Sequence, residues 1–219
     1  MKRIPALMDG YRIFRSRTFP ANRELYRDLV AHGQSPRTMI VSCCDSRVSP
    51  TTIFNAKPGE LFMVRNVANL VPPYEPHGDY HGTSAALEFA VTGLQVEHIV
   101  VLGHAYCGGV KAFLDGLYGA ETEPEYRFIT RWMSMLRPAM SRLPGGDAPR
   151  DPDNRQRAVE QASILNSLAN VETFPFVQAR LKAGTLALHG AWFDIERGLL
   201  LEFDPETDTF AALDDETPP

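Results

Sequence analysis

Cys43, His104 and Cys107 are the residues of this sequence whose types and spacing suit a metal ion. Cys43 stands in the run Ser42-Cys43-Cys44-Asp45-Ser46-Arg47. The other two form a compact His-x-x-Cys inside Gly103-His104-Ala105-Tyr106-Cys107-Gly108-Gly109. Two thiolates and one neutral imidazole match Zn²⁺ in charge and softness. Three protein ligands leave a tetrahedral zinc one position short, the mark of a catalytic rather than a structural site. Taken singly, a cysteine after a strand is ordinarily a small buried hydrophobe, and a histidine a satisfied core or surface residue. The His-x-x-Cys spacing shifts that balance, because one tight turn brings both donors to a single ion. Cys107 also precedes a predicted helix, whose amino end favours thiolate. Adjacent side chains of a strand point to opposite faces, so only one of Cys43 and Cys44 faces the site. Spacing alone leaves open which; the other reads as a buried structural thiol.

Asp45 and Arg47 add a second layer. Their plain reading is a loop ion pair, worth little when exposed. Their functional reading is a carboxylate held beside the metal by a fixed guanidinium, able to accept a hydrogen bond from zinc-bound hydroxide. Two thiolates neutralise the ion, so its water should be less acidic than on an all-histidine zinc. Arg47 can offset that negative charge locally.

The elements that must position these groups follow from the hydrophobic pattern. Met39–Ser42, Leu61–Val64, His98–Leu102 and Thr185–Gly190 read as core strands. Leu199–Phe203 and Thr209-Phe210 read as later or edge strands. Between them, helices are predicted over 23–31, 83–94, 108–117, 126–136, 157–168 and 175–182. Thr83 or Ser84 can cap the second, Pro138 should end the fourth, and Gly184 stops the last. Val71 to Gly82 and Gly145 to Asp153 read as loops. Near-continuous apolar strands alternating with helices indicate an α/β fold: a single domain over 1–219 with a central, mostly parallel sheet flanked by helices. Sites in such sheets form beyond the carboxyl ends of the strands, where Cys43 and His104 fall.

The bulk properties are those of an ordinary globular chain: 44% apolar residues, 22% charged and a net charge of -5. That balance gives no reason to expect nucleic acid or an anionic membrane as partner. No apolar run approaches the ~20 residues of a bilayer span. The first residues lack a continuous apolar stretch, so no secretory leader is expected. Three cysteines are too few for a disulfide framework and suit a reducing, cytoplasmic setting.

Together, Cys43-Cys44-Asp45-Ser46-Arg47 and the His104 to Cys107 segment resemble the β-class carbonic anhydrases, whose pattern is Cys-x-Asp-x-Arg followed far downstream by His-x-x-Cys. Gly59-Glu60, the stretch Val64 to Pro73, Gly82-Thr83 and Leu186 to Gly190 share the likeness, which covers residues 20 to 205. The resemblance implies that Cys43, His104 and Cys107 hold one Zn²⁺ per subunit, and that Cys44 is the variable position. It makes Asp45 and Arg47 the catalytic dyad. The implied reaction is reversible hydration of carbon dioxide to bicarbonate and a proton by zinc-hydroxide attack. In this family the aspartate either pairs with the arginine or swings onto the metal and closes the site.

The finer likeness is to the plant-type branch, in which the open form is usual. It implies that Gln34 hydrogen-bonds bicarbonate, that Phe62, Val67 and Phe89 line the carbon dioxide slot, and that the Gly108 N–H stabilises oxygen charge. Phe89 stands where tyrosine is frequent. Ile40 stands where the bicarbonate-regulated branch has tryptophan, so no such allosteric site is expected. His77, Tyr80 and His81 are shuttle candidates whose plainer role is a solvated loop. The family also implies a homodimer or higher homo-oligomer, with residues 1–30 as a helical arm packing on a partner. Two alternatives remain: the same chemistry on carbon disulfide or carbonyl sulfide, and a non-catalytic zinc-binding module. Asp45, Arg47 and Gln34 argue against the second, since a purely structural site has no use for them.

Overall fold

Val and Ile favour extended backbone because two heavy atoms on Cβ restrict χ1. Met39-Ile40-Val41 and Ile99-Val100-Val101 accordingly form the centre of one sheet. The computed structural model describes residues 4–79, 81–117, 127–143 and 151–213. The six strands are β1 Thr38–Cys43, β2 Leu61–Asn66, β3 His98–His104, β4 Ala187–Asp194, β5 Leu199–Asp204 and β6 Thr209–Ala212. Their order is β2-β1-β3-β4-β5-β6. The first four are parallel; β5 and β6 join antiparallel. From β1 the chain runs outward to β2 and then crosses to the other side of β1 for β3. The order therefore reverses at β1/β3, which is where open α/β sheets place their sites.

The helices are α1 Pro5–Ile13, α2 Phe19–Ala21, α3 Arg23–His32, α4 Pro50–Ile53, α5 Gly82–Glu88, α6 Gly108–Leu114, α7 Arg127–Met133, α8 Arg137–Met140, α9 Pro152–Val171 and α10 Pro175–Lys182. Leu87 and Val91 around the end of α5, and Val177 of α10, pack on Met39, Val41 and Ile99. Ile164 of α9 packs on Val101, Trp192 and Leu201. Ile40, Leu102 and Ala191 point to the opposite face, where Ile53 of α4 meets them. Helix α9 lies very close to the sheet. A Cβ at Gly103 would stand 2.7 Å from Ile164 Cδ1, and one at Gly190 3.1 Å from Ile164 Cγ2.

Several sequence expectations need correction. Pro138 does not end a helix; it sits in the first turn of α8, where its missing N–H costs nothing. Neither Thr83 nor Ser84 caps α5, which starts at Gly82 without a side-chain cap. Thr83 Oγ1 instead accepts from Asn66 Nδ2 at 3.4 Å. Helix α9 begins earlier than its apolar periodicity, because the Asp151 carboxylate accepts the Asn154 N–H at 2.9 Å and caps it. Pro152 and Asp153 are thus helical; the start of the expected 145–153 loop lies outside the described residues. No helix among the described residues is long and apolar enough to cross a membrane.

Candidate metal centre

The last residue of β1 is Cys43, the last of β3 is His104, and Cys107 stands just before α6. All three are buried. Their donor atoms lie within 4.8 Å of one another. His104 Nδ1 faces the Ala105 carbonyl at 2.8 Å, and a carbonyl only accepts, so Nδ1 carries the ring proton. The bare Nε2 is buried without any partner. An orphaned imidazole nitrogen between two buried sulfurs is a costly arrangement unless a cation completes it. The donor set therefore fits a divalent, thiophilic metal. Cys43 joins this cluster and Cys44 does not; Cys44 is exposed rather than the expected buried thiol.

Without a cation the two cysteines share the burden of one charge. The neighbouring Cys107 sulfur lowers the pKa of the Cys43 thiol, against burial and with help from His104. The same proximity, with burial, pushes Cys107 up. Burial opposes a charge on His104, but the Cys43 sulfur, the Ala105 carbonyl and Asp45 together outweigh it and the net shift is upward. A bound metal would displace the remaining protons.

Asp45 lies over this trio. Its Oδ1 accepts the Arg47 backbone N–H at 3.0 Å and Nε–H at 2.9 Å, and its Oδ2 accepts Nη2–H at 2.7 Å. The guanidinium holds the carboxyl well below the usual carboxylate range. Oδ2 stands 3.9 Å from His104 Nε2, outside bonding distance and beside the cluster. Arg47 Nη2 also donates to the Tyr106 carbonyl at 2.9 Å, tying the two ligand segments together. Tyr106 itself adopts φ 55°, the left-handed region that a bulky residue enters only under constraint.

Two residues of the site escape sequence reasoning in their roles. Arg65, on β2, donates to the carbonyls of Cys43 at 2.9 Å, Asp45 at 2.8 Å and Val48 at 2.6 Å. It fastens the loop that carries Asp45. Glu160 of α9 is 2% exposed and accepts the Cys107 N–H at 2.8 Å. Burial pushes its carboxyl up, against the hydrogen bonds it accepts. A signal for Glu160 existed: it shares a helical face with Ser163, Ile164 and Ser167, all buried.

Val67 packs into the cluster that contains Cys43 and Cys107, its carbonyl held by Trp132 Nε1–H at 2.8 Å. Gly108 opens α6 beside Cys107 and is exposed. Gln34, Phe62 and Phe89 are not brought to this centre within one chain. Gln34 is exposed in the segment before β1, at the end opposite Cys43. Phe62 pairs with Met39 whereas Cys43 pairs with Asn66, four residues and about 13 Å further along the strands. Phe89 is 52% exposed and packs on Phe62 with ring centroids 5.8 Å apart. His77 is exposed, His81 half-buried, and Tyr80 lies outside the described residues.

The carbonic anhydrase family model matches residues 38–200. Beta carbonic anhydrase 3 of Arabidopsis thaliana is 35% identical over 215 residues, covering 96% of this chain and 81% of that protein. Among solved structures, the β-carbonic anhydrase CcaA superimposes with a TM-score of 0.82 at 30% identity, covering 97% of this chain and 92% of that one. A Coccomyxa β-carbonic anhydrase in complex with acetazolamide gives 0.78 at 28% identity, over 92% and 86% of the two chains. A β-carbonic anhydrase of Sordaria macrospora, one of two described as tetrameric, gives 0.76 at 27%, over 90% and 94%. The Cys43, His104 and Cys107 cluster thus sits in a fold and a sequence that agree on one origin: the chain belongs to the β-carbonic anhydrases.

Proposed function

We propose that this enzyme is a zinc-dependent carbonic anhydrase that interconverts carbon dioxide and bicarbonate, with Asp45 and Arg47 organising the open side of the metal. The observation that carries the reading is the Asp45 carboxylate, bound to Arg47 through both oxygens and set 3.9 Å from the orphaned His104 Nε2. A zinc ion held by Cys43, His104 and Cys107 would supply Lewis acidity that brings a water's pKa toward neutrality. Asp45 accepts a hydrogen bond from the reacting water and orients its lone pair. Arg47 keeps Asp45 off the metal and offsets the two thiolate charges. Val67 provides an apolar wall, and the Gly108 N–H, at the start of α6, donates to the product's oxygens.

Gln34, Phe62 and Phe89 complete the pocket from a second copy of the chain. Support comes from their position: they are exposed or half-exposed at the end of the sheet away from their own metal ligands. The arm supports the same assembly. Helices α1 to α3 bury no residue, and Ile4, Leu7, Met8, Tyr11 and Ile13 are 40–64% exposed. The proposed unit is a homodimer or larger, with residues 1–30 lying on the partner.

The test is zinc content with stopped-flow carbon dioxide hydration, run beside carbon disulfide and carbonyl sulfide. One zinc per subunit, hydration activity and its loss in Cys43→Ser are expected. Zinc-loaded protein that turns over none of the three gases would return the reading to a non-catalytic zinc module.

A further inference from the structure

Glu160 is a carboxylate in an unusual place. It is 2% exposed, and no ion pair among the described residues reaches it. Its three partners are neutral donors: Cys107 N–H at 2.8 Å and Gln156 Nε2–H at 2.8 Å on Oε1, and Trp192 Nε1–H at 3.2 Å on Oε2. A buried carboxylate without a cation is costly, and an apolar residue of similar size is often neutral or better for stability. Its use must then lie in what it holds.

What it holds is the main chain of a metal ligand. Gln156, one turn earlier on α9, donates to the Cys107 carbonyl at 3.2 Å as well as to Glu160. Helix α9 therefore reaches both polar backbone groups of Cys107: Glu160 holds the N–H, and Gln156 shares the C=O with the Lys111 N–H of α6 at 2.9 Å. The preceding residue, Tyr106, is in the left-handed region and would relax if released. Rotation of that peptide would turn the Cys107 sulfur away from Cys43 and His104. Glu160 is also anchored to the sheet through Trp192 of β4, which fixes its own rotamer.

We propose that Glu160, assisted by Gln156, is the positioning residue for Cys107: it sets the direction of the sulfur toward the metal and touches neither substrate nor ion. The proposal rests on the zinc reading above. Residues of this kind shape metal affinity and the metal–ligand bond by orienting the ligand.

The experiment compares Glu160→Met, Glu160→Gln and Glu160→Gln/Trp192→Phe with the parent, all as full chains. Zinc affinity is read by chelator competition, the ligand field by the thiolate-to-metal absorption of the cobalt-loaded protein, and folding by thermal melting. Glu160→Met is expected to weaken zinc about 10- to 100-fold and to shift the cobalt band. Glu160→Gln keeps one acceptor for Cys107 but turns an NH₂ toward Trp192 Nε1–H. Adding Trp192→Phe removes that clash and is expected to recover most of the lost affinity and the parent spectrum. Parent-like affinity and spectrum in Glu160→Met would overturn the proposal, as would a double variant no better than Glu160→Met. If Glu160→Met does not fold, Gln156→Met decides: a weaker loss with the same spectral shift supports the proposal, and no change overturns it. A parent protein that takes up no zinc would overturn the metal reading itself.

Discussion

Arg47 holds both oxygens of Asp45 in one planar fork, Nε–H to Oδ1 at 2.9 Å and Nη2–H to Oδ2 at 2.7 Å. Only arginine offers that geometry; a lysine brings the charge without the fork. Arg47→Met should free the carboxylate to compete for the metal's fourth position. Hydration kcat is expected to fall about 100-fold or more, with Arg47→Lys intermediate. X-ray absorption should then count an added carboxylate oxygen on zinc in the methionine variant. Full activity there would remove the dyad from the mechanism.

Arg65 secures the loop from a distance. Its three bonds hold the carbonyls of Cys43, Asp45 and Val48, of which the Asp45 carbonyl also accepts the Val48 N–H at 3.1 Å. At about 1 kcal/mol net per bond, Arg65→Met should lower stability by roughly 3 kcal/mol. Turnover should drop further than Tm alone predicts, because the released segment carries Asp45. Equal activity per folded molecule would show that β1 holds the loop unaided.

Gly103 tests the closeness of α9. Its added Cβ would lie 2.7 Å from Ile164 Cδ1 and 2.9 Å from Cγ1, and Ile164 is fully buried. Gly103→Ala should cost about 1–3 kcal/mol through overpacking. Pairing it with Ile164→Val, which withdraws one methyl, should return part of that loss in denaturant melts. Failure of the pair to couple would place the strain elsewhere.

Asp204 gives a pH-dependent signature away from the metal. Its carboxylate accepts the Glu206 N–H at 2.8 Å and Thr207 Oγ1–H at 2.9 Å, which lowers its pKa. A depressed carboxylate stabilises the fold above the unfolded pKa of about 3.9 and loses that contribution as pH falls through the lower folded value. Asp204→Asn should therefore speed amide exchange in the β5–β6 hairpin at pH near 7, with the difference shrinking below about pH 4. A difference that persists in acid would assign the effect to side-chain shape rather than charge.

What the sequence disclosed follows from range. The ligand types are rare and two of them lie within one turn, so His104 and Cys107 were legible; strand ends placed the Cys43-Cys44 pair beside them, and only the family likeness chose Cys43. Apolar runs located β1 and β3 because their residues face core on both sides. Pro138 misled because a proline that stops one helix serves equally in the first turn of the next. Arg65 stayed hidden because it bonds backbone groups distant in sequence; for Glu160 the helical face could show burial, but its bond to the distant Cys107 N–H leaves no spacing to read. Gln34, Phe62 and Phe89 carried a family likeness but no indication that one chain separates them from its own Cys43.

The reversal of strand order at β1/β3 also dictates when the centre can exist. Cys43 and His104 are neighbours in space, yet β2, α5 and the long segment between them must be laid down before β3 docks on β1. Contacts of such sequence separation form late, after their loop entropy has been overcome. An ion meeting the early chain would find only His104 and Cys107 close together, two of the three donors. A metal that needs all three donors would therefore be gripped fully only after β3 has docked on β1.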